Sequence, residues 1–194
     1  SAPELQALLS RMQAAGCTHV FMEVSSHAMA QHRTAGVHFR GGIFTNLTRD
    51  HLDYHKTFAA YRDVKKRFFD ALPSTAFALV NIDDKNGAFM LQNTKAQKKT
   101  YALKTHADYK AHIIESRFDG LLLRINQHEV WTKLIGEFNA YNLLAVFGAA
   151  TLLGVDELEA LTLISAIEPV AGRFQYAVSA TGVITIVDYA HTPD

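Results

Sequence analysis

The chain has 194 residues, 48% of them hydrophobic, enough to bury a sizeable core and to form one domain, or one domain with part of another. Nineteen basic residues balance nineteen acidic ones. No overall charge therefore draws the chain to nucleic acid or an anionic membrane, and any phosphate binding has to be local. The single cysteine, Cys17, excludes an internal disulfide; with no basic-then-apolar leader, a cytoplasmic protein is the expectation. The most apolar stretch, residues 143–155, is too short to span a bilayer.

Residues 5–15 carry apolar side chains at helical spacing and stop at Gly16, which predicts a helix. His19-Val20-Phe21-Met22 then reads as a buried strand ending at Glu23. A short strand over 42–45 ends at Asn46, a strong helix over 58–72 is stopped by Pro73, and a third strand spans 76–81. This alternation predicts an α/β fold with a mostly parallel sheet flanked by helices. Ligands gather beyond the carboxyl ends of such strands, where Glu23 and Asn46 fall. From 101 to 135 the pattern shortens to 113–118, 121–125 and 130–135, with Asp119-Gly120 as a hairpin signal, so a small antiparallel subsheet follows. Residues 139–153 are apolar nearly all round and end before Gly154, as a helix buried on every side should. Asp156 and Glu159 have the spacing of a capping box that opens a last helix. Two strands, 175–179 and 183–187, lead to a further polar loop from Asp188 to Asp194.

Residues 46–55, Asn-Leu-Thr-Arg-Asp-His-Leu-Asp-Tyr-His, crowd carboxylates and imidazoles around a short apolar step. Asp50, His51, Asp53 and His55 could hold Mg²⁺, Mn²⁺ or Zn²⁺, or could cap a turn and bond to backbone. Glu23 favours a site, because a carboxylate directly after a buried strand has few structural uses. On the helix over 58–72, Tyr61, Val64, Phe68, Phe69 and Leu72 define an apolar arc, and Lys65 lies near its middle. Arg62, Asp63, Lys66 and Arg67 fall outside it, as solvated charges do. An inward Lys65 either snorkels its ammonium past the rings or loses solvation and becomes nucleophilic enough to add carbon dioxide. Ser25, Ser26 and His27 lack the glycine-flanked turn of a nucleophilic serine. Asn139 and Asn142, one turn apart, either read a ligand or cap the backbone. No Gly-x-x-x-x-Gly-Lys-[Ser/Thr] loop occurs.

Six ordered segments together resemble the Mur ligases, most closely the MurE type, the UDP-N-acetylmuramoyl-tripeptide synthetases of peptidoglycan assembly. They are Met-Glu-Val-Ser-Ser-His-Ala-Met-Ala-Gln-His-Arg (22–33), Thr-Asn-Leu-Thr-Arg-Asp-His-Leu-Asp-Tyr-His-Lys (45–56), Tyr-Arg-Asp-Val-Lys (61–65), Gly-Glu-Phe-Asn-Ala-Tyr-Asn (136–142), Gly-Arg-Phe (172–174) and Asp-Tyr-Ala-His-Thr-Pro-Asp (188–194). The resemblance implies the central ATP-binding domain of a three-domain ligase over 1–172, without its phosphate loop, and the start of the carboxy-terminal domain over 173–194. It departs from the family at Ser1-Ala2-Pro3, where Thr-Thr-Pro is usual.

By the same resemblance, Glu23 and His51 correspond to Mg²⁺ ligands and Lys65 to a carbamylated lysine, the three forming the catalytic set. Ser25, Gln31 and Arg33 correspond to contacts with UDP-N-acetylmuramoyl-dipeptide, and Asn142, Arg173, Asp188 and His191 to the nucleotide site. The implied reaction uses ATP to activate the D-Glu carboxylate as an acyl phosphate, which the amine of meso-diaminopimelate or L-lysine displaces. A monomer is expected, with no nucleic-acid or membrane partner. Two other readings stand beside this one: a metal-dependent hydrolase built on Glu23, Asp50, His51, Asp53 and His55, and a binding module inactive as residues 1–194. The folylpolyglutamate synthetases share the ligase logic but match the Ser-Ser-His and Asp-Tyr-Ala-His-Thr-Pro segments less well.

Overall fold

The computed structural model describes residues 1–48, 56–179 and 181–188. Its elements are α1 (Ala2–Ala14), α2 (Ser26–Ala30), β1 (Gly41–Phe44), α3 (Phe58–Asp70), β2 (Phe77–Asn81), α4 (Gly87–Met90), β3 (Gln97–Ala102), β4 (Tyr109–Arg117), β5 (Gly120–Ile125), β6 (His128–Thr132), α5 (Glu137–Leu152), α6 (Glu157–Ser165), β7 (Gln175–Val178) and β8 (Ile184–Val187). Strands β1 to β6 form one sheet in chain order, and β7 and β8 form a separate hairpin. The pairing of β3 with β4 is parallel, with Tyr101 opposite Tyr109; β4–β5 and β5–β6 are antiparallel. The α/β fold with its small antiparallel subsheet is therefore the one expected. No helix among the described residues is long and apolar enough to cross a membrane.

The chain divides into two compact units. The first comprises residues 1–42, 49–78 and 88–98, and the second comprises 43–48, 79–87 and 99–194. In the first, α3 buries Tyr61 and Phe69 and leads to buried Leu72. Thr57 caps its amino end, accepting from the Ala60 amide at 3.2 Å. A side chain at Gly42 would meet Phe68 at 2.6 Å and Leu72 at 3.1 Å, so only glycine lets this helix lie so close to β1. In the second unit, α5 packs over β4 and β5 and beside α6. Leu143, Leu144 and Phe147 of α5, Leu121, Leu123 and Ile125 of β5, and Ile164 of α6 are all fully buried. Asp156 caps α6, accepting from the amides of Leu158 and Glu159.

Three expectations fail. The run 19–22 forms no strand: Val20, Phe21 and Met22 are 44%, 72% and 38% exposed. A strand needs a neighbour to pair its amides, and among the described residues none pairs with this run. Helix α5 is not buried on every side, since Phe138 and Val146 remain about half exposed along one stripe. Lys66 is not solvated; it is 5% exposed.

Candidate functional site

In the first unit, Glu23 stands exposed just before α2. Ser25 caps that helix, its hydroxyl oxygen accepting from the Ala28 amide at 3.1 Å. The chain then turns through His32, whose φ of 52° lies in the left-handed region. That turn brings Gln31 and Arg33 together: Arg33 Nε donates to Gln31 Oε1 at 2.8 Å. Arg33, Glu4, Leu5, Leu8, Met22 and Ala28 line an open groove of about 300 Å³, and Gln6 ties α1 to the turn by donating to the Ala35 carbonyl at 3.2 Å. An apolar floor with the Arg33 guanidinium and the Glu4 carboxylate in its lining suits a ligand that presents both apolar and polar groups.

Helix α2 packs against α3. Lys65 lies between Tyr61 and Phe69 at helical spacing, half-buried, with Nζ 5.4 Å from the Tyr61 ring centroid. It is neither buried nor fully exposed, so the inward place expected from the sequence pattern is met in part. The buried face, however, includes Lys66 with Tyr61 and Phe69, so its centre is rotated by roughly 70° from the expected arc at 100° per residue. On this face the Phe89 ring takes Arg62 at 4.1 Å and Lys66 at 5.7 Å, while Asp70 pairs with the Lys66 ammonium. A ring from another element thus turns a charged strip into a contact face. Asp50, His51, Asp53 and His55 lie outside the described residues. Among those described, no group of three His, Cys, Asp or Glu is placed to hold a metal. Exposed Glu23 does offer a hard oxygen donor of the kind that suits Mg²⁺.

In the second unit, Asn139 and Asn142 sit on the first turns of α5. Asn139 donates to the Ile135 carbonyl at 2.8 Å and accepts from Asn142 Nδ2 at 3.2 Å, leaving Asn142 exposed. Phe138 stacks edge-on against Phe174, centroids 5.2 Å apart, which brings the Gly-Arg-Phe turn and exposed Arg173 to the same end of the helix. Gln175 pairs with Val187 across the β7–β8 hairpin. Asp188 therefore begins at the end of the hairpin from which Arg173 departs. His191 lies outside the described residues.

Sequence reasoning missed Asp83. Its carboxylate accepts from the amides of Leu103, Lys104 and Thr105 at 2.7–2.8 Å and from the Tyr141 hydroxyl at 2.9 Å. Burial alone would raise its pKa, but the hydrogen bonds from Thr105, Lys104 and Leu103 outweigh it and hold the carboxyl well below the usual range. Burial, then the hydrogen bond to Asp83 and that carboxylate's charge, push the Tyr141 hydroxyl up. Next to it, Asp84 accepts from the Leu47 amide at 3.0 Å and the Asn86 amide at 2.7 Å. These two carboxylates fix the loops after β2 and β3 and, through Tyr141, the start of α5 beside Asn142. The signal available was Asn81-Ile82-Asp83-Asp84 directly after a buried strand, which also reads as an ordinary turn.

The family model for the Mur ligase middle domain matches residues 1–150. A relative from Parabacteroides distasonis, called "UDP-N-acetylmuramoyl-L-alanyl-D-glutamate--2,6-diaminopimelate ligase", is 58% identical over 190 residues, 98% of this chain and 39% of its own. Proteins of the same name from Bacteroides thetaiotaomicron and Lactiplantibacillus plantarum are 57% and 40% identical, over 98% and 97% of the chain and 39% and 41% of their own. A solved structure of a 2,6-diaminopimelate ligase of that name aligns with a TM-score of 0.84 at 32% identity, over 98% of this chain and 40% of that one. MurF from Acinetobacter baumannii aligns at 0.72 and 19% identity, over 80% and 35% of the two chains, a likeness of fold alone. The chain thus spans about two fifths of the length of the relatives it matches.

Proposed function

The chain belongs to the Mur ligase family, and from that premise we propose that it is the central part of an ATP-dependent ligase joining diaminopimelate to UDP-N-acetylmuramoyl-L-Ala-D-Glu. The observation that carries this reading is identity of 57–58% along 98% of the chain with relatives named for that reaction. The hydrolase reading has no such support. Residues 173–194 are taken as the beginning of the domain that receives the amino acid.

In this reading the groove beside α1 and α2 takes the muramoyl-dipeptide, with Arg33, oriented by Gln31, and Ser25 meeting its polar groups. Asn142, Arg173, Asp188 and His191 bind the nucleotide, the guanidinium countering phosphate charge. Glu23, His51 and carbamylated Lys65 would hold Mg²⁺. When bound, the cation neutralises charge that would otherwise repel an anionic nucleophile from a triphosphate. A D-Glu carboxylate oxygen attacks the γ-phosphorus and ADP leaves; the incoming amine then attacks the acyl carbon, forming the amide C–N bond as the C–O bond to inorganic phosphate breaks, and gives up a proton. The half-buried setting of Lys65 supports a role for its amine beyond solvation.

The protein that carries this chain should release ADP only when the UDP-muramoyl-dipeptide and diaminopimelate are both present; L-lysine as the competing amine tests the choice between them. Lys65→Ala should lower that turnover by about 10²–10³-fold, the scale of losing one preorganised electrostatic partner, with partial recovery on adding short carboxylates. Turnover unchanged in that variant would remove Lys65 from the site.

A further inference from the structure

Lys66 is the most deeply buried charge on α3, and the proposed reaction makes no use of it. It is 5% exposed, its ammonium pairs with Asp70 one turn on, and Nζ lies 5.7 Å from the Phe89 ring centroid. Arg62, one turn before, holds the same ring at 4.1 Å. All four residues belong to one compact unit.

Lys66 is buried while its partner Asp70 is 34% exposed, and an ion pair with a desolvated lysine is a poor source of stability, since an apolar side chain of equal volume usually serves as well or better. Such pairs are better at selecting one arrangement among near-equals. Helix α3 has that need: its apolar arc of Tyr61, Val64, Phe68 and Phe69 is broad, yet only Tyr61 and Phe69 of it are buried, with Lys66 beside them. A roll of about 30° would carry a side-chain tip ~6 Å from the axis sideways by ~3 Å. For a reacting amine, 1 Å matters.

We infer that Lys66 is a positioning residue for Lys65: clamped between Asp70 and the ring that Arg62 also holds, it fixes the rotation of α3 and so aims the Lys65 amine. Lys66 lies 100° around the helix from Lys65, so the clamp sets direction without occupying the space Lys65 needs. The inference rests on the reading of Lys65 given above, in which its nitrogen lone pair forms an N–C bond to carbon dioxide and one N–H proton passes to water.

The test uses the full-length protein that carries this chain, with ¹³C-bicarbonate. One readout is the carbamate carbon, assigned to Lys65 by alkyl trapping and mass spectrometry. The other is the NOE between the Lys65 ε-methylene and the Tyr61 ring. Lys66→Met, which fills similar volume, should lower Lys65 carbamate at least about five-fold and weaken the NOE. Lys66→Arg, which keeps the charge toward Asp70, should restore both, and Asp70→Asn should reproduce the loss in a fold where the Lys66 side chain remains. A purely structural role would shift the melting temperature of Lys66→Met and leave carbamate and NOE per folded molecule at wild-type levels, which would overturn the inference. Equal behaviour of Lys66→Arg and Lys66→Met would overturn it too. Absence of carbamate in the unaltered chain would instead strike at the Lys65 reading, and the NOE comparison then decides the clamp alone.

Discussion

Asp83 gathers three amides and a phenol on one carboxylate, and hydrogen bonds to a charged acceptor are the stronger kind. Asp83→Asn keeps one acceptor oxygen but loses the charge, so it should cost about 1–3 kcal/mol and speed hydrogen exchange at Leu103, Lys104 and Thr105. The pH dependence has a definite sign. The folded pKa lies below the unfolded value of about 3.9, so the stabilisation is complete above that pH and drains away as pH falls toward the folded value. Unfolding curves between pH 5 and pH 2 should therefore show the gap between wild type and variant closing on acidification. A constant gap would mean that the charge contributes nothing. Single residues were read unevenly from the sequence for the same reason that Asp83 was missed: its partners come from 103–105 and 141, and no local pattern announces them. The helical face of Lys65 could be read, because spacing within its own helix sets it. The rotation of that helix, and with it the burial of Lys66, could not, because Phe89 outside the helix bears on it.

Elements show the same division. Helix α3 was legible from amphipathic spacing and Pro73, and β5 and β6 from alternation, because those signals are local. Strand β3 was not, since Gln97, Lys98 and Lys99 open it and burial begins only at Tyr101 and Ala102. The run 19–22 has a strand's composition and no strand, because pairing is a property of the neighbour. Where an element lies against another can still be tested by one atom. Gly42→Ala would put a methyl 2.6 Å from Phe68 and 3.1 Å from Leu72. Overpacking of this kind costs about 1–3 kcal/mol, or about 2–4 °C of melting temperature per kcal/mol at this chain length. Thermal melts of the variant should show that fall. An unchanged melt would mean that α3 can move away from β1 freely.

At the scale of the molecule, the family reading and the length of the chain make opposite demands. The segments proposed above for metal, dipeptide and nucleotide are spread through residues 22–194, yet the sequence contains no glycine-rich loop to cradle a triphosphate. The chain spans about two fifths of the relatives whose names state a ligase activity. Triphosphate affinity drawn from backbone amides at a helix amino terminus is worth far more than what scattered polar contacts supply, so the remaining contacts should hold ATP only weakly. Residues 1–194 alone are therefore expected to give no saturable ATP binding by calorimetry and no ADP release, whatever dipeptide or amino acid is added. The protein that extends this chain to the length of its relatives should do both. A hydrolase working from Glu23 and the 50–55 segment would behave in the reverse way, with metal-dependent activity in residues 1–194 that needs no ATP. Measuring both chains with and without ATP distinguishes the two, and ATP-coupled turnover by residues 1–194 would show that the phosphate site lies within them after all.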